Sequence, residues 1–139
     1  MVSRFSELVV DCRDPKELAA FWCAVLDYHV VDEDPSGQAV EIGPRDLPIG
    51  DDFVEWRRRL RAAPSAPTII FIVVPEAKTV KNRLHIDVSP VEGSPEDEAA
   101  RLRALGATNA DVGQSPDARW IVMRDPEGNE FCILRTLAG

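Results

Sequence analysis

HIDVSPVEGSPEDEAARL, residues 85–102, decides the reading of the fold, because it repeats the plan of ELVVDCRDPKELAAFW, residues 7–22. Each stretch opens on residues that alternate between apolar and polar, the mark of a strand with two unlike faces. Each then reaches a helix-capping residue followed by proline, Asp14-Pro15 and Ser94-Pro95. Proline is well placed at the first helical position, where the missing N–H has no helical partner. An acidic residue holds the third helical position in both, Glu17 and Asp97. The first is a capping-box variant, and the second resembles a box more loosely. An alanine pair follows at the same offset, Ala19-Ala20 and Ala99-Ala100. The same features in the same order indicate an internal repeat.

Three strand-like segments follow each helix: YHVVDE, QAVEIG and TIIFIVV after the first, and TNADVG, RWIVMR and EFCILR after the second. The predicted order is strand, helix and three strands, twice over, an α+β fold with helices at roughly 14–26 and roughly 95–105. Gly106 is the expected C-terminal stop of the second helix. DPEGN, residues 125–129, fits a type I turn joining the last two strands, with Asp125 capping it. DDFVEWRRRLRAA, residues 51–63, breaks the symmetry. Phe53, Trp56, Leu60 and Ala63 recur at helical spacing, which predicts an inserted amphipathic helix. Its stripe either packs on the domain or on a partner subunit, or forms a lid whose arginines draw in an anionic ligand. Charged runs are usually solvated helix faces, which favours packing.

The chain has 139 residues, 45% hydrophobic and 29% charged, with a formal net charge of −8. The size suits one ordinary globular domain. The negative charge argues against nucleic acid or an anionic membrane as a partner. MVSRFSELVV lacks the apolar run of a signal peptide, and TIIFIVVP has the length of a buried strand rather than a membrane span. Cys12, Cys23 and Cys132 form no CxxC, and their odd number fits reduced thiols in a cytoplasmic protein.

Period-two alternation sorts the strand residues by face. Leu8, Val10 and Cys12 oppose Glu7, Val9 and Asp11; Leu84, Ile86 and Val88 oppose His85, Asp87 and Ser89; Phe131 and Ile133 oppose Glu130, Cys132 and Leu134. The apolar sets are expected to meet the helices and the ionisable sets to share the other side. Glu7 and His85 hold equivalent places in the two repeats.

The repeat, with DCRDPKELAAFW, KNRLHIDV, RALGA and MRDPEGNEFCIL, resembles the vicinal-oxygen-chelate superfamily of glyoxalase I, the bleomycin-resistance proteins and the extradiol dioxygenases, and more closely its glyoxalase-like domains. The likeness covers most of the chain; only the segment around 45–66 looks foreign. It implies two βαβββ modules, about 4–76 and about 82–137, whose mixed sheets form one cup with helices outside. It also implies a homodimer, and in some members a divalent ion, Zn, Ni, Mn or Fe, that acts as a Lewis acid on neighbouring substrate oxygens.

On this resemblance Glu7 and His85 match metal-ligand positions, and the remaining two fall at Ile72 and Cys132. Isoleucine cannot bind an ion. Cys132 can as thiolate, and a shifted register would substitute Glu130. Asp11, Asp87, Glu130, Ile72 and Trp120 are the expected pocket residues. Each has a plainer reading: His85 as a hydrogen-bonded partner of Glu7, Cys132 as a small buried apolar group, Trp22 and Trp120 as packing, His29 as a surface strand residue, and Lys81-Asn82-Arg83 as an anchor of the connection. The implied function is small-molecule binding in the cup, as a metal-dependent lyase, isomerase or dioxygenase with an atypical site. The alternative is a metal-free, bleomycin-resistance-type protein that binds a drug or metabolite. A third reading, a domain acting chiefly through dimerisation, conflicts with the many ionisable groups assigned to the cup face.

Overall fold

The computed structural model describes residues 1–47 and 53–139, apart from the side chain of Phe53. The chain forms two compact units, Met1–Ala77 and Lys78–Gly139. The first contains β1 (Glu7–Cys12), α1 (Pro15–Leu26), β2 (Tyr28–Glu33), β3 (Ala39–Pro44), α2 (Phe53–Ala62) and β4 (Thr68–Val73). The second contains β5 (Asp87–Val88), α3 (Pro95–Ala104), β6 (Thr108–Asn109), β7 (Ile121–Arg124) and β8 (Glu130–Ile133). The sheet orders are β1-β4-β3-β2 and β5-β8-β7-β6. In each unit the first strand runs parallel to the last, and the remaining neighbours are antiparallel. The repeat seen in the sequence is thus a repeat of topology.

In the first unit Asp14 caps α1, its carboxylate accepting the Glu17 backbone N–H at 3.0 Å. The helix ends where Asp27 turns left-handed at φ 54, a conformation that Asp tolerates better than most residues. Leu18, Ala19, Phe21 and Trp22 are buried, and α1 lies against β2, β3 and β4. Trp22 packs edge-on against Phe21, with ring centroids 5.4 Å apart. Leu8, Val10 and Cys12 take the better-buried positions of β1, while Glu7, Val9 and Asp11 are exposed.

The inserted helix is present over Phe53–Ala62; its expected first residues, Asp51 and Asp52, lie outside the described residues. Leu60 is buried, Trp56 half-buried and Ala63 exposed, so the stripe is shorter than its spacing suggested. Arg4 donates to the Leu60 carbonyl at 2.9 Å, and Arg59 bridges to Asp46 and Glu55. The Leu60 and Asp46 bonds tie α2 to its own unit, and the Glu55 pair lies within the helix.

In the second unit the capping box at α3 is reciprocal: Ser94 Oγ accepts the Asp97 N–H at 3.1 Å and Asp97 accepts the Ser94 N–H at 3.0 Å. The box is therefore tighter here than the sequence suggested. Gly106, at φ 111, ends the helix in a Schellman arrangement, with Gly106 N–H donating to Arg103 and Ala107 N–H to Leu102. Ala99 and Leu102 are buried, and α3 lies against β7 and β8. Two expected strands are shorter than the alternation implied, β5 with two residues and β6 with two. Leu84, assigned to an apolar face, lies before β5 and is 83% exposed.

The 125–129 turn forms as expected. Gly128 N–H donates to the Asp125 carbonyl at 2.9 Å, and the Asp125 carboxylate accepts the Glu127 and Asn129 N–H groups. Asp125 is only 3% exposed, so these bonds take the place of water. Next to it, Glu130 fastens the start of the unit onto β8. Its carboxylate accepts Lys78 Nζ at 2.9 Å and the Asn82 N–H at 3.0 Å, and Asn82 also bonds Asn129. Burial opposes the charge of Glu130, yet these donors hold its carboxyl down at about 2.

Two measurements check this framework. Leu102 is fully buried, so Leu102→Ala costs about 2–5 kcal/mol in chemical denaturation. Glu130→Gln costs about 1–3 kcal/mol near neutral pH. Because the folded carboxyl titrates at about 2 rather than 4.5, its contribution is complete above about 4.5 and is lost as pH falls toward about 2. Wild type and Glu130→Gln should therefore converge in stability over that acid window and stay apart at neutral pH.

Candidate functional site

The parallel pairing of β5 with β8 sets Asp87 opposite Cys132, and β7 sets Val122 on the other side of Cys132. Side chains two apart share a face. His85 therefore joins Asp87, while Glu130 and Leu134 join Cys132. Phe131 and Ile133, 1% and 0% exposed, point the other way, into the core. The Cys132 face holds a pocket of about 340 Å³ lined by Lys81, His85, Asp87, Val112, Trp120, Val122, Glu130, Cys132 and Leu134. Ala110, Val122 and Cys132 pack together, with Val112 and Leu134 against them, and make an apolar floor. Trp120 is 45% exposed and offers its ring to the pocket.

The ionisable part is compact. His85 Nδ1 lies 2.8 Å from Asp87 Oδ1. With Asp87 as acceptor, Nδ1 carries a proton, and in the neutral imidazole Nε2 is then the acceptor. The Cys132 thiol is pushed up to about 11, first by burial and then by the charge of Asp87 and a hydrogen bond to it; Lys81 acts weakly in the other direction. At neutral pH this sulfur is a thiol that donates to Asp87 and is no nucleophile. Asp87 is thus the hub of the cluster, with an imidazole on one side and a thiol on the other.

The residues anticipated from sequence divide between the units. His85, Asp87, Glu130, Cys132 and Trp120 line the pocket. Glu130 lines it with a carboxylate already engaged by Lys78 and Asn82. His85 takes Asp87 as its hydrogen-bond partner, where the plainer sequence reading had assigned it Glu7. Glu7 lies exposed on β1 opposite Thr68, and Asp11 is exposed beside a half-buried Ile72, its register partner on β4. Cys12 is buried, and His29 is held by its Nε2 on the Leu47 carbonyl at 2.9 Å.

Sequence reasoning set Leu134 on the Cys132 face, where it lines the pocket, and missed Lys81, Val112 and Val122 as lining residues. Val122 was recoverable, because it keeps the period-two phase of Trp120 and pairs with Cys132. Val112 carried no such signal, since it lies beyond the short β6. The hydrogen bonds of Asn82 fulfil the anchoring role read for residues 81–83.

A divalent ion is implied by the resemblance, and the donor chemistry here fits one. The ligand atoms of His85, Asp87 and Cys132 all lie within 4.8 Å of one another. Bonds of about 2.0–2.3 Å in a tetrahedral zinc site separate neighbouring donors by about 3.3–3.8 Å, so small side-chain adjustments suffice. Three protein donors leave a further coordination position, as a site that acts on a ligand requires.

The sequence model of the Glyoxalase-like domain family matches residues 7–134. A search of curated proteins gives no match. Among solved structures, the chain is similar to a glyoxalase/bleomycin resistance protein/dioxygenase family enzyme from Burkholderia phytofirmans, with TM-score 0.61 and 18% identity, covering 94% of this chain and 97% of that one. It is similar to a mutant of the fosfomycin resistance protein FosX from Listeria monocytogenes, complexed with Mn(II) and 1S,2S-dihydroxypropylphosphonic acid, with TM-score 0.64 and 15% identity, covering 98% and 92%. It is also similar to TnmS3, an antibiotic binding protein from Streptomyces sp. CB03234, with TM-score 0.57 and 14% identity, covering 97% of each chain. At these identities the structures establish a shared fold, and among the described residues no helix is long and apolar enough to cross a membrane. With two βαβββ units and a family match over nearly its whole length, the chain belongs to the Glyoxalase-like domain family, within the glyoxalase/bleomycin resistance/dioxygenase fold.

Proposed function

We propose that this chain binds a small organic molecule in the pocket on the Cys132 face of the second sheet. One observation carries the reading: an apolar floor and an open tryptophan ring adjoin an ionisable cluster in a single pocket of about 340 Å³. Small-molecule sites have this composition, apolar walls for affinity and a few polar groups for orientation. The ligand that suits it is amphipathic. Its flat or apolar part lies along Val112, Trp120, Val122 and Leu134, and its polar part meets His85, Asp87 and Lys81. Asp87 suits a cationic or hydrogen-bond-donating group, and His85 Nε2 accepts a second donor.

Structures of similar fold support this class, one holding Mn(II) with a phosphonic acid and one an antibiotic binding protein. A bound divalent ion would add Lewis-acid polarisation of a ligand oxygen, turning a binder into a lyase, isomerase or dioxygenase. A metal-free binder of drugs or metabolites is the alternative, supported by the similar fold of an antibiotic binding protein. The reading extends to one functional domain built from both units, to a homodimer and to a reducing, cytoplasmic setting, the last supported by three free cysteines.

The test is a thermal-shift screen of cationic and neutral antibiotics and aromatic metabolites, followed by fluorescence titration of the hits. The expected result is saturable stabilisation with a change in tryptophan emission. Trp120→Ala should weaken binding about 10-fold and remove most of the emission change, since Trp120 is the tryptophan that lines the pocket. Hits whose affinity is unchanged by both Trp120→Ala and Asp87→Asn would contradict the pocket assignment.

A further inference from the structure

We infer that α2 and the corner that leads into α3 form an interface between two copies of this chain. An arginine stripe on one copy meets an acidic, partly apolar corner on the other. The inference rests on the homodimer proposed above, to which it gives a surface, and it does not depend on the pocket. It uses the inserted segment, which the family resemblance does not cover.

The stripe follows from spacing. Val54, Arg57, Arg58 and Arg61 recur at i, i+3, i+4 and i+7, so they lie along one side of α2. The buried Leu60 and half-buried Trp56 take the other side, and all four residues of the stripe are exposed. Glu55 bridges Arg58 at 3.0 Å, but Arg57 and Arg61 have no partner among the described residues. These two stand one turn apart, where like charges destabilise a helix. In a chain of net charge −8, such a basic patch stands out, and an opposing acidic surface would relieve its repulsion.

The complement lies on the same chain. The tail after β8 crosses the segment before α3: Leu137 N–H donates to the Pro90 carbonyl at 2.8 Å, and the Thr136 hydroxyl donates to the Gly93 carbonyl. Val91 and Leu137 are 73% and 68% exposed, so the chain itself does not cover them. Glu92, Glu96 and Asp97 are exposed in the same stretch. Asp97 takes its hydrogen bonds from Ser94, a neutral residue, so its charge remains. Arg135, on the tail, offsets one of these charges. Apolar groups among acids thus match an apolar group among arginines. Arginine suits such pairing, because its planar fork can hold a carboxylate through two N–H groups. Each copy carries both surfaces, so a closed pair makes the contact twice. That doubling brings two small patches toward the area of a stable interface.

The experiment measures the mass of the full chain by sedimentation equilibrium at about 0.05 M and about 0.5 M salt. The expected result is a dimer at low salt whose self-association weakens at least about 10-fold at high salt. One variant carries Arg57→Glu with Arg61→Glu, and a second carries Glu92→Arg with Glu96→Arg. Each alone should be monomeric, with unchanged circular dichroism because all four side chains are exposed. An equal mixture of the two should recover the dimer, since both contacts of a mixed pair then join opposite charges. Misfolding cannot imitate that rescue. A dimer that survives both charge reversals would leave the homodimer standing while this interface fell, and a monomeric wild type would sink both. A mixture of folded variants that stays monomeric would also overturn the inference. So would a monomeric wild type that binds polyglutamate through the stripe, which would assign α2 to an acidic partner.

Discussion

Parallel pairing between a two-residue strand and the final strand governs the chemistry of this molecule. Asp87 and Val88 meet Cys132 and Ile133, and the pairing is extended by Cys132 N–H on the Ile86 carbonyl at 3.1 Å and Leu134 N–H on the Val88 carbonyl at 2.7 Å. A slip of one residue would turn Cys132 toward α3 and bring Phe131 or Ile133 into the pocket. The register is held because Phe131 and Ile133 have a core to fill on the opposite face. Packing on one side of β8 therefore fixes the placement of the polar cluster on the other.

The two units use one topology for different ends. In the first, the corresponding parallel pair sets Glu7 opposite Thr68 and Asp11 opposite Ile72. Burial pushes the Glu41 carboxyl up on the neighbouring strand, aided by the charges of Glu7 and Asp32 and opposed by the Thr68 hydroxyl. That face carries the carboxylates of Glu7, Asp11 and Glu41, and His29 on β2, opposite Gly43, is held there on the Leu47 carbonyl. In the second unit the equivalent position gains His85, and Cys132 takes the place of an aliphatic residue. A duplicated scaffold has thus kept its hydrogen-bond ladder while its concentration of metal-ligand types differs between halves. Fold and site are separable in this way because backbone pairing depends little on which side chains line the face away from the helix.

Much of this architecture was legible in the sequence because it follows from local rules. Asp14-Pro15 and Ser94-Pro95 marked both helix starts, Gly106 marked an end, and DPEGN marked the final turn. Alternation sorted Glu130, Cys132 and Leu134 onto one face and Phe131 and Ile133 onto the other. The failures have physical causes. Alternation through residues 84–89 overstated β5, since Leu84 has no neighbouring strand to pack against and stays in solvent. The partner of His85 was sought at a long sequence separation, although Asp87, two residues away on the same face, needs no tertiary contact to meet it. The role of Glu130 depended on Lys78 and Asn82, whose approach is a property of the folded connection and leaves no periodic trace. Val112 entered the pocket from a segment with hardly any strand pairing, where periodicity has nothing to report.

The most direct measurement is a crystal structure of the protein soaked with a small molecule that stabilises it in the thermal-shift screen. The account predicts ligand density on the sheet face that carries Trp120, bordered by His85, Asp87 and Cys132. A map with the ligand bound elsewhere, or coordinates that place His85 and Cys132 on opposite faces of the second sheet, would contradict it.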